Sequence, residues 1–147
     1  MSRLWLAALG AAAIIGCGDD SSGGGPNDLF PDVAGTYSIT GNFTGTPTGD
    51  SLVTGTVTIE QASLETSPLT GTANLTLAAQ AGNLTISNAE LLDASVTLAG
   101  VVVFTVERES DAVVWTFTGE RAGDVLEGTH TLSKGSVTAD GAWSGER

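Results

Sequence analysis

From Val33 onward, apolar and polar residues alternate every second position in one short run after another. Successive side chains of an extended strand point to opposite faces, so this period marks strands with one buried face. Val33, Tyr37, Ile39 and Phe43 share one face of the first run. Val53, Val57 and Ile59 share a face of the second, with Thr54, Thr56, Thr58 and Glu60 opposite. Leu69, Ala73, Leu75 and Leu77 repeat the pattern, as do Val113, Trp115 and Phe117. Shorter runs are expected over 83–92 and 94–98, and further strands over 125–132 and 137–144. Val101 to Glu107 is nearly continuous in apolar residues, which predicts burial on both faces. The segment 78–92 also has some helical Ala and Leu character, interrupted by Gly82, Thr85 and Ile86. Eight or nine short strands separated by Gly, Asn, Asp and Pro predict an all-β domain. The expected form is a small antiparallel up-and-down β-barrel of about eight strands, with a β-sandwich as the alternative.

Composition agrees. Thr and Val suit a pleated surface, and the chain has 20 glycines for turns and close approaches. Charged residues make up only 15% of 147 residues, and the net charge is −12. Such a balance repels nucleic acid and anionic headgroups, so no nucleic-acid partner is expected. The acids are scattered singly, as on a solvated surface.

The N-terminus has a different organisation. Met1-Ser2-Arg3 is a short basic start, followed by an unbroken run of 12 apolar and small residues, Leu4 to Ile15. That is the length of a signal-peptide core and short of the roughly 20 residues a membrane helix needs. The run ends at Ile14-Ile15-Gly16-Cys17, and Cys17 is the one cysteine of the chain. An ordinary secretory signal leaves that lone thiol unexplained. The tetrapeptide resembles the lipobox of bacterial lipoproteins. The resemblance implies cleavage between Gly16 and Cys17, with diacylglycerol on the thiol and fatty acyl chains such as palmitate. The protein would be held to a membrane of the cell envelope, inner or outer, through lipid on Cys17. Residues 18–32, rich in Gly, Ser and Asp, read as a solvated tether with a reach of roughly 20 Å. Leu29 and Phe30 are expected to dock its end onto the domain. The organisation is therefore 1–16 signal peptide, 17–32 lipidated cysteine and linker, and 33–147 barrel.

Gly35-Thr36-Tyr37 in the first strand, Leu69-Thr70-Gly71-Thr72 in a later one, and strand ends in which Gly follows a Trp (Trp115 to Gly119, Trp143 to Gly145) are similar in style to calycin-group barrels of the avidin and lipocalin type. The resemblance implies a fold with a ligand-sized mouth, and no ligand-contacting residue carries over by position.

Candidates for chemistry are few. His130 is the only histidine and falls on the face of Leu126, Gly128 and Leu132. A zinc site needs several such ligands, so no metal or cofactor is expected. No Gly-x-Ser-x-Gly elbow accompanies the many hydroxyls, and no catalytic residue is assigned. Glu107, Glu109 and Asp111, with Glu120 and Asp124, read as charged gatekeepers of a sticky strand rather than as a carboxylate pair. Tyr37, Trp115, Phe117 and His130 are the candidate pocket for a small apolar ligand; the same aromatics more often form a barrel core, and that reading ranks ahead. The expectation is a non-enzymatic lipoprotein, either binding a small apolar ligand inside the barrel or meeting an envelope protein with its outer surface. A hydrolase using His130 ranks below both.

Overall fold

The structure, a computed structural model, describes residues 29–43, 51–80 and 82–147. Gly16, Cys17, most of the tether and the Thr46–Asp50 turn lie outside the described residues. Nine antiparallel strands form one nearly closed up-and-down barrel. They are β1 (Gly35–Phe43), β2 (Ser51–Glu60), β3 (Thr70–Ala78), β4 (Leu84–Glu90), β5 (Leu92–Val96), β6 (Val101–Arg108), β7 (Val113–Ala122), β8 (Val125–Lys134) and β9 (Val137–Glu146). β1 to β4 pair in sequence, as do β5 to β9, and β4 does not pair with β5. The first and last strands then pair with each other, from Ser38 opposite Glu146 to Phe43 opposite Gly141.

The segment with mixed helical character contains β4, which Leu91 alone separates from β5. Together they act as one bent stave, so nine hydrogen-bonded runs make eight staves. β4 pairs with β3, and β5 pairs with β6. The β5 end also closes back toward the start of β3: Leu69 N–H donates to Ala94 O at 2.9 Å, and Val96 N–H to Ser67 O at 3.0 Å. The bend has a local cause. Asn88 and Asp93 both adopt φ of 49°, a left-handed conformation that Asn and Asp tolerate better than other side chains. Asn74 Oδ1 accepts the Asn88 N–H at 2.8 Å where the register slips.

Beyond that bend, β4 and the end of β6 are not paired to each other. A side-chain clasp spans the gap. Arg108 donates to both carboxylate oxygens of Asp111 at 2.8 and 2.7 Å, and through Nη1 to Thr85 O on β4 at 2.9 Å. Lys134 of β8 adds a third contact to Asp111 at 2.8 Å. Hydrogen bonds from Arg108 and then Lys134 hold the Asp111 carboxyl well below the usual carboxylate range.

Alternation puts the apolar set inward. Val53, Val57, Leu75, Val102, Phe104, Val106, Trp115, Phe117 and Leu126 are all buried. The outer positions of β6, Val101 and Val103, remain half-exposed, so that strand is not buried on both faces as its sequence suggests. Two half-exposed valines on the outer face cost little in water, because much of any protein surface is apolar. Segment 29–34 folds across one barrel end. Phe30 packs on the core with its N–H donating to Leu64 O at 2.7 Å, and Val33 is buried with its N–H donating to Gln61 Oε1. Leu29 stays exposed, so the docking residue is Phe30.

The Trp143 ring needs absent side chains beside it. A Cβ on Gly119 would sit 2.7 Å from Trp143 Cζ2. Gly119→Ala should therefore destabilise the fold by about 1–3 kcal/mol through overpacking, read as a lower urea midpoint at unchanged slope. Arg108→Ala should speed amide exchange in β4 while β7 and β8 stay protected; equal protection in β4 would show that the clasp holds nothing.

Candidate functional site

Tyr37, Trp115, Phe117 and His130 come from β1, β7 and β8, and alternation turns all four inward. Each is at most 1% exposed. Trp115, Phe117 and His130 join Phe43, Phe104 and Trp143 in a ring stack through the barrel, while Tyr37 is buried on β1 with its hydroxyl turned to Val33. Phe43 lies 4.3 Å from the His130 ring, Phe117 5.4 Å from it, and Phe104 4.9 Å from Phe117. Trp143 meets Phe117 edge-on at 5.5 Å. Offset and edge contacts at these separations are favourable, because ring edges are positive and faces negative.

The polar atoms of the stack find partners inside the wall. Trp115 Nε1 donates to His130 Nδ1 at 2.8 Å. An imidazole nitrogen that accepts carries no proton, so the ring's proton is on Nε2. That nitrogen donates to Asn42 O at 2.9 Å. His130 sits on β8 and Asn42 on β1, so this bond reaches across β9. It passes Gly141, where a Cβ would collide with both Asn42 O and the imidazole. Trp143 Nε1 is shared between Thr118 O and Thr129 O at 3.2 and 3.0 Å, and Tyr37 OH donates to Val33 O at 2.9 Å.

Burial lowers the His130 pKa, with the Asn42 hydrogen bond opposing it in second place. Protonation would also set an Nδ1–H against the Trp115 N–H. Both ring nitrogens are thus committed, and the lone pair a general base would use already accepts a proton donor. Burial likewise raises the Tyr37 pKa, partly offset by Arg147.

Depressions lie on the outer wall. One of about 670 Å³, wide open to solvent, runs over β8, β9, β1 and β2 between Glu127, Ala142, Thr40 and Leu52. A smaller one flanks Glu120 and Thr129. Among the described residues no group of three or more His, Cys, Asp or Glu has metal-site geometry. Two of the acids named above are ion-paired: Asp111 in the clasp, and Asp124 with Arg147 at 2.7 Å, which lowers the Asp124 pKa. The C-terminal Arg147 also donates to Ala34 O, tying β9 to the start of β1. Its role was not legible in the sequence, because Thr-Gly-Glu-Arg and Ser-Gly-Glu-Arg look alike and only the second lands beside Asp124.

A folded pKa held below the unfolded value means the unfolded chain binds more protons in that window. The His130 contribution is therefore complete above about pH 6.5 and lost as pH falls, with a limiting slope of about 1.4 kcal/mol per pH unit. His130→Gln can keep an acceptor and a donor without titrating. The stability difference between the natural protein and His130→Gln, measured by urea unfolding from pH 7.5 to 5, should shift against the natural protein on acidification. A constant difference would contradict the assigned bonding.

The eight-stave architecture is compatible with a calycin-like barrel. No family model matches the chain, and searches of curated proteins and of solved structures find no match.

Proposed function

We propose that this protein is a non-enzymatic, lipid-anchored component of the bacterial cell envelope that acts through the outside of a filled barrel. The observation that carries the second half of this reading is the ring stack. The residues best suited to hold an apolar guest hold one another instead, and their polar atoms are already bonded. An occupied interior leaves recognition to the wall and the loops, where most of the charge and the open depressions lie. The first half rests on Ile14-Ile15-Gly16-Cys17 and the Gly/Ser/Asp tether. Several acyl chains on one cysteine anchor stably, because each buried CH₂ contributes about 0.8 kcal/mol.

The barrel architecture supports a second reading, in which a small apolar ligand displaces part of the stack near Trp115 and Phe117. One experiment separates the two. Intact mass of the protein from its own membranes should equal residues 17–147 plus lipid, under native and denaturing conditions alike. A small-molecule increment seen only in the native spectrum would replace the filled-barrel reading with the ligand reading. Cys17→Ser should carry no lipid and keep its leader; normal lipid labelling of that variant would overturn the anchor.

A further inference from the structure

Strand register fixes which loops share a barrel end. Gly35 pairs with Ile59, Glu60 with Thr70, and Val101 with Glu120. The loop 61–69, the turn 97–100 and the incoming segment 29–34 therefore lie at one end. Seven large hydrophobic residues are exposed among those described. Four of them, Leu52, Leu92, Val114 and Val137, lie on strands. The other three are in connecting segments, and all three are at this end: Leu29 is 56% exposed, Leu64 37% and Leu98 50%.

The segments that carry them are linked. The Phe30–Leu64 backbone bond ties the segment that carries Leu29 to the loop that carries Leu64. Pro31 runs past Gly100, where a Cβ would lie 3.7 Å from Pro31 Cγ. Gly100 closes the turn that presents Leu98, with Thr97 N–H donating to Val101 O and Gly100 N–H to Thr97 O. This is also the end at which the chain arrives from Cys17, twelve residues before Leu29. A Gly/Ser-rich stretch of that length has an r.m.s. reach of about 20 Å. An anchor that short favours this end over the opposite one for contact with the bilayer. Asp32, Glu60 and Glu65 are exposed nearby and outnumber the half-exposed Arg121, and Arg147 is neutralised by Asp124, so the end does not suit an anionic surface.

We infer that the tether end is a membrane-docking face, in which Leu29, Leu64 and Leu98 insert into the interface of an electrically neutral bilayer and set the barrel upright on it. The inference rests on the lipid anchor proposed above. Leucine tips gain by leaving water, while the barrel wall above them stays solvated. The docking directs the opposite end, with its Arg108–Asp111–Lys134 clasp, away from the membrane.

The test uses the full lipidated protein in phosphatidylcholine–phosphatidylethanolamine vesicles. Cys17 is consumed by its thioether, so an introduced cysteine is the only thiol. An environment-sensitive fluorophore goes on Ala99→Cys beside Leu98, or on Ser136→Cys at the opposite end. The label at 99 should shift to the blue and be quenched by spin-labelled lipid, whereas the label at 136 should read as aqueous. In the Leu29→Ser, Leu64→Ser, Leu98→Ser triple variant the label at 99 should become as aqueous as that at 136. An aqueous label at 99 on the unaltered leucines, or one unmoved by the triple variant, overturns the docking alone. Absence of lipid on Cys17 by intact mass overturns the anchor, and the docking with it.

Discussion

The bond from Trp115 Nε1 to His130 Nδ1, continued from His130 Nε2 to Asn42 O, joins β7, β8 and β1 inside the barrel. Its importance follows from where it lies. β1 and β9 are the first and last strands of the wall, and their pairing is shorter than that of β1 with β2. The imidazole spans that seam from within, over a glycine that leaves it room. A buried donor or acceptor left unpaired costs about 1–3 kcal/mol, so the three groups hold one another in place. Aromatic packing around them then excludes the water that would otherwise compete. The lone histidine is thereby a seam-closing residue, and its chemistry is directed inward.

The opposite side of the wall is closed by different means. There the chain bends through two residues in left-handed conformation, and pairing alone does not bridge β4 to β6. Charged side chains do so from the surface, with a bidentate guanidinium–carboxylate contact at the centre. Such a fork fixes geometry as well as charge. The two closures differ in what can disturb them: the interior one answers to protonation of a buried ring, the exterior one to ionic strength and to loss of a single arginine.

Filling an eight-stave barrel is a consequence of size. A wall of that circumference encloses a space side chains can occupy completely. Large rings at six positions and a buried histidine take that space, and glycines at 119 and 141 admit them. What remains for recognition is the outer wall, rich in threonine, and the two ends. The ends are not alike, since segment 29–34 crosses one, which carries exposed leucines in its connecting segments, while the other carries the ionic clasp.

The strand pattern was legible because alternation reports a local geometric rule. It placed Tyr37, Trp115, Phe117 and His130 on inward faces, and the strands observed follow the runs read from Val33 onward. A sandwich remained readable beside the expected barrel, because both use the same alternation. Only the pairing of β1 with β9 and the bend at Asn88 to Asp93 decide between them, and pairing between distant segments leaves no periodic trace. The same holds at the level of side chains. The sequence by itself determined which residues face inward, through the two-residue repeat of an extended chain. The tertiary structure alone decided that Trp115 meets His130, that Gly141 makes way for the bond to Asn42, and that Arg147 rather than Arg121 finds Asp124. Those contacts depend on register across the wall, and register is set by the whole closed sheet rather than by any one strand.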